Sequence, residues 1–159
     1  MVEGLLIAEG GNASETVNVA AMSRPAGYCK TSNYQEAADF LGYSPVLPDP
    51  DLIGAASVQY EIHLEPEVAM LSVLYRRADA STVVYHVEQY ADPEEAYLML
   101  QQNGAGTTER LSGTDVYFSM NYDKAGFTWW DGLTVYHLGG NISQDDGREV
   151  VRKLIEEMN

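Results

Sequence analysis

The side chains that could do chemistry in this chain are three histidines, one cysteine and several adjacent carboxylates. A serine or cysteine hydrolase needs a nucleophile beside a positioned base, which a third group orients. His63, His86 and His137 all fall in segments patterned as strands. No Gly-x-Ser-x-Gly elbow and no Walker loop accompanies them. Gly104-Ala-Gly106 does not lead from a strand into a helix, so it is no dinucleotide fingerprint. Glu94/Glu95, Asp145/Asp146 and Glu156/Glu157 are adjacent acids, but each pair sits at a helix end, where solvated carboxylates are expected. No residue receives a catalytic role, and the expectation is a non-enzyme.

Metal chemistry is equally sparse. Zinc wants closely spaced His and Cys, and here each stands alone. Glu61, His63 and Glu65 share one face of a strand and could form a surface site with His86; a solvated polar face is the simpler reading. Asp49 and Asp51 could join Glu65 or Glu67 around calcium, but no twelve-residue loop pattern supports this. The expectation is no metal and no cofactor. Cys29 is the only cysteine, so an intrachain disulfide is excluded. Lys30 and Arg24 are its only basic neighbours in sequence, too few for a reactive thiol, and a small apolar side chain is expected.

The aromatic hairpin is the remaining candidate. Trp129 and Trp130 are consecutive on a strand and must point to opposite faces. One is expected in the core. The other, with Tyr117 or Tyr136 across the sheet, forms a candidate interaction surface, since Trp and Tyr anchor recognition patches.

The elements that would position these residues are readable from periodicity. A helix is predicted over 33–41, capped by Ser32 with Gln35 closing a capping box. Pro45-Val-Leu-Pro48-Asp-Pro50 then reads as extended. Residues 57–65 alternate strictly, with Val58, Tyr60, Ile62 and Leu64 on one face. Residues 69–77 and 81–90 are apolar at most positions, as central strands are. Asp92-Pro93-Glu94-Glu95 starts a short helix. After a polar loop at 103–110, strands are predicted at 115–122, 127–130 and 133–138, with Asp131-Gly132 as a hairpin turn. Ser143 and Asp146 open an amphipathic helix carrying Val150, Val151, Leu154, Ile155 and Met158, with Glu149 and Lys153 as an i,i+4 pair. Short connections imply an α+β fold: a curved antiparallel sheet of about six strands, with the helices on one face. Residues 31–159 read as one domain. Residues 1–30 read as a lead-in, with an edge strand at 15–20.

Charge narrows the partners. The chain has 159 residues, 24 acidic and 9 basic side chains, and a net charge of −15. Residues 1–80 carry 11 acids and 4 bases, so the acidity is spread and not a tail. Nucleic acid and anionic headgroups both need Lys and Arg. No apolar run approaches the roughly 20 residues of a membrane span. The expected partner is a protein or an apolar small ligand, and the expected state a monomer.

Val116-Tyr-Phe, Trp129-Trp130-Asp-Gly132, Tyr136-His-Leu-Gly139 and the Ser143-led helix resemble a bacterial family of unknown function. Its members occur as extracytoplasmic parts of anti-sigma-factor-like membrane proteins and lipoproteins. Glu36-Ala37, Leu41-Gly42-Tyr43, Val46, Pro48 and Val73-Leu-Tyr75 resemble its opening half. The similarity spans about residues 34–159. Leu52-Ile53-Gly54-Ala55 departs from it, keeping a glycine without the following aromatic. The resemblance implies a surface or membrane-anchored setting for the full-length protein, and no catalytic residues. The expected function is sensing or protein interaction. The alternative is a carrier, with Met70, Met99, Met120 or Met158 lining an apolar cavity.

Overall fold

The structure, a computed structural model, describes residues 26–103 and 106–159. Twelve elements follow the chain: β1 (Gly27–Thr31), α1 (Tyr34–Leu41), α2 (Pro50–Ile53), β2 (Ser57–Leu64), β3 (Val68–Arg76), β4 (Thr82–Tyr90), α3 (Pro93–Asn103), β5 (Thr107–Leu111), β6 (Thr114–Asn121), β7 (Lys124–Trp130), β8 (Thr134–Gly140) and α4 (Gln144–Met158). The fold is α+β. Among the described residues, eight antiparallel strands form one sheet in the order β1-β2-β3-β4-β8-β7-β6-β5. Two meanders, β1–β4 and β5–β8, therefore join along β4 and β8.

The expected six strands become eight, because β1 and β5 close the two edges. β5 is Thr-Thr-Glu-Arg-Leu, with only Leu111 buried, so it shows no alternation to read. Its main chain pairs with β6 from Thr107↔Phe118 to Leu111↔Thr114. The edge strand expected at 15–20 lies outside the described residues.

Strand alternation divides the sheet into two faces. On the first, Ile62, Leu71, Val73, Tyr85, Phe127 and Leu138 are buried together with Val150, Val151, Leu154 and Ile155 of α4 and Ala37 and Leu41 of α1. Ser143 caps α4, its Oγ accepting from the Asp146 N–H at 3.1 Å. Arg148 of α4 donates twice to the Glu109 carboxylate of β5, at 2.8 Å each, and its guanidinium lies 5.2 Å from the Phe118 ring centre. Glu149 pairs with Arg152, one residue short of the expected Lys153.

Not all helices lie on that face, contrary to expectation. α3 covers part of the other one, where Ala96 and Leu100 bury against Val135 with Tyr90, Tyr117 and Trp130 around them. Its N–H at Glu94 is capped by the Asp92 carboxylate at 2.9 Å. The cap of α1 is Asn33, whose side chain accepts from the Glu36 N–H, and not Ser32. The proline stretch is also not wholly extended: Asp49 caps α2 and Pro50 opens it. No helix among the described residues is long and apolar enough to cross a membrane.

Candidate functional site

The aromatic quartet from the hairpin divides between the two faces. Trp129 is 2% exposed and stacks between Tyr85 and Tyr136, with ring centres 6.4 and 5.3 Å away. Tyr136 donates its hydroxyl to Asp131, and burial pushes its pKa well up. Trp130 and Tyr117 lie on the opposite face, half-buried, and Trp130 packs 5.5 Å from Tyr97 of α3. The four residues do not converge on one surface. Three of the four methionines expected to line a cavity are dispersed: Met70 sits half-buried in β3, Met120 is exposed in β6, and Met158 closes the end of α4, while the side chain of Met99 lies outside what is described.

The second face carries a polar line that sequence spacing did not connect. Lys30, Glu61, Ser72, His86, His137, Thr128, Tyr117 and Thr108 stand opposite one another, one per strand, across all eight strands. Ser72 Oγ lies 2.8 Å from His86 Nδ1, and His86 Nε2 lies 2.8 Å from a Glu88 oxygen. Tyr90 donates to the other Glu88 oxygen at 2.6 Å. The His86 hydrogen bond, aided by Tyr90, holds the Glu88 carboxyl below its ordinary range despite burial. An ionised carboxylate only accepts, so His86 donates from Nε2, and neutral His86 accepts the Ser72 hydroxyl at Nδ1.

His137 bonds Thr128 through Nδ1 at 2.8 Å. Burial lowers its pKa, nearby His86 lowers it further, and Glu88 opposes both. Its ring lies across the paired Gly126 and Gly139; a Cβ at Gly139 would sit 2.8 Å from Nε2. The close approach explains both glycines.

Serine, histidine and glutamate in one hydrogen-bonded chain invite comparison with a hydrolase. Acyl transfer also needs N–H donors aimed at a developing oxyanion. Ser72 sits inside β3 and His86 inside β4, each flanked by strands on both sides, so the surrounding N–H groups belong to ladders. The hydrogen-bonded groups Ser72–His86–Glu88–Tyr90 and Thr128–His137 are embedded in the sheet.

His63 is exposed on β2, its ring 4.6 Å from that of Tyr28, while His86 sits two strands away. Asp49 and Asp51 begin α2, whereas Glu65 and Glu67 flank the turn at the far end of β2. Among the described residues, no three His, Cys, Asp or Glu side chains gather as a metal would require. Cys29 is half-buried and packs at the margin of the core.

A cleft lies where α1, the 45–50 loop and the end of α4 meet the first face of β2 and β3. It is open to solvent and has a volume of about 680 Å³. Tyr60 and Tyr75, both buried, form its floor; Tyr34, Val46, Asp49 and Glu157 stand at its walls. Tyr34 donates its hydroxyl to the Pro45 carbonyl and Tyr75 to that of Pro48, each at 2.9 Å. These two bonds fix the loop over the sheet edge. Burial pushes the Tyr75 hydroxyl well above its ordinary range and raises Tyr60 also. A smaller cleft of about 390 Å³ adjoins it, sharing Pro48, Asp49 and Glu157 and adding Leu52 and Lys153. Asp49-Pro50 repeats the cap-and-proline signal of Asp92-Pro93, and that repetition is the sequence mark of this wall.

No family model matches this chain, and neither the curated proteins nor the solved structures contain a match to it.

Proposed function

We propose that this chain is a non-catalytic sensing or protein-interaction domain that works outside the cytoplasmic membrane and takes its ligand in the tyrosine–proline cleft. The cleft carries the reading. It is concave, aromatic-floored and fixed by two hydrogen bonds, and its volume falls within the few hundred to about 1,000 Å³ usual for small-ligand sites. The extracytoplasmic setting rests on the resemblance of residues 34–159 to membrane-anchored bacterial regulators. The absence of a catalytic role is supported by the ladder-bound surroundings of Ser72 and His86. The dispersion of Met70, Met120 and Met158 favours this reading over an apolar carrier.

Amide NMR shifts of the labelled domain, recorded against a mixed library of cationic, anionic and neutral small molecules, test it. The reading expects saturable shifts at Tyr34, residues 45–50, residues 58–60 and Tyr75. Shifts gathered instead at Ser72, His86 and Trp130 would overturn it. So would p-nitrophenyl acetate turnover that disappears in Ser72→Ala.

A further inference from the structure

We infer that the cleft is built for a small organic cation with an alkylammonium head, a deepening that rests on the cleft being the ligand site. Three independent features of its lining point the same way. First, the charged side chains that line it are Asp49 and Glu157, both acidic, and among the described residues no Lys, Arg or His lines it, Lys153 belonging to the adjoining cleft. The chain's net charge of −15 gathers cations around the molecule as a whole.

Second, the lining is aromatic at an angle suited to a cage. The Tyr34 and Tyr60 ring centres are 6.1 Å apart, with the planes at 69°. Tyr60 and Tyr75 lie beneath, 8% and 1% exposed, so the open ring surface at the cleft is mainly that of Tyr34. Ring faces attract alkylammonium groups through their quadrupoles, most strongly when water is partly excluded.

Third, the lining is poor in donors. Pro45, Pro48 and Pro50 have no N–H to offer. The Tyr34 and Tyr75 hydroxyls are spent on loop carbonyls. Asp49 gives one oxygen to the Asp51 N–H, and its carboxylate still stands at the cleft wall. An anion would meet two carboxylates and few donors. A cation finds ring faces and negative charge, which are what it needs.

Choline and its neutral isostere 3,3-dimethylbutan-1-ol, titrated separately into the labelled domain, separate the outcomes. Saturable shifts at Tyr34, Asp49, Tyr60 and Tyr75 are expected with choline, and about tenfold weaker binding of the isostere. Tyr34→Leu and the pair Asp49→Asn with Glu157→Gln should each weaken choline about fivefold or more while the remaining amide spectrum stays folded. Equal binding of both probes at the cleft would overturn the cation assignment and leave the cleft as an apolar ligand site. Choline shifts unchanged in these variants would overturn it as well. Saturable binding of neither probe at the cleft, with only neutral or anionic library members shifting the same residues, would overturn the cation class alone. With no library member binding there, the cleft reading falls too.

Discussion

At the scale of single residues, Gly147 shows how packing overrides propensity. It lies in the first turns of α4, where glycine costs about 1 kcal/mol relative to alanine. Sequence alone therefore marks it as a weakness to be mended. A Cβ there would sit 2.3 Å from Cε2 of Phe127, a ring with no exposure and no room to retreat. Overpacking a core costs about 1–3 kcal/mol, enough to outweigh the propensity gain. Gly147→Ala should thus lower the urea midpoint at unchanged slope. Repeating the change in a Phe127→Leu background should recover most of the loss, and a coupling near zero between the two would count against the contact. The same closeness governs His137 over Gly126 and Gly139, a neighbourhood that becomes visible only once β7 and β8 are in register.

At the scale of elements, what was legible tracks what is buried. β2, β3 and β4 alternate or run apolar because their first face is core, and their bounds match the reading within a residue. α4 announces itself through Ser143 and its apolar stripe. β1 and β5 were illegible as strands because an edge strand buries little and draws its stability from ladder bonds, which leave no trace in side-chain type. The cleft was illegible for a different reason: Tyr34, Pro48, Tyr60, Tyr75 and Glu157 come from distant parts of the chain. The placement of α3 on the second face was equally hidden, since its apolar stripe fits either side of a sheet. That placement is testable. Leu100 is buried against Val135 in a cluster that includes Trp130. Leu100→Ala should destabilise the domain by about 2–4 kcal/mol and shift Trp emission to the red as Trp130 gains water. An unshifted spectrum would place α3 elsewhere.

At the scale of the whole molecule, charge and protonation set the working range. His137 and Glu88 both hold their protons less tightly in the folded state than in the unfolded chain. The unfolded state then binds more protons, so stability falls as pH falls. For His137 the loss begins as pH drops through its ordinary 6.5 and continues down to its lowered folded value. For Glu88 it begins near 4.5. Acid also relieves the self-repulsion of the −15 charge, which acts in the opposite direction. A difference measurement removes that background: between pH 7.5 and 5.5, the melting temperature of His137→Asn should fall less than that of the parent. Equal falls would mean that His137 titrates alike in both states. The junction of β4 with β8 has its own consequence, on the ribosome. It joins Val83–Gln89 to Thr134–Gly140, residues about 50 apart in the chain, whereas every other neighbouring pairing except β1 with β2 is a hairpin. The first meander therefore emerges, and waits with β4 unpaired along one side, until β8 at Thr134–Gly140 follows. Closure of the sheet is tied to the arrival of β8, and a nascent product interrupted before residue 134 is left with an open, adhesive strand for chaperones or proteases to find.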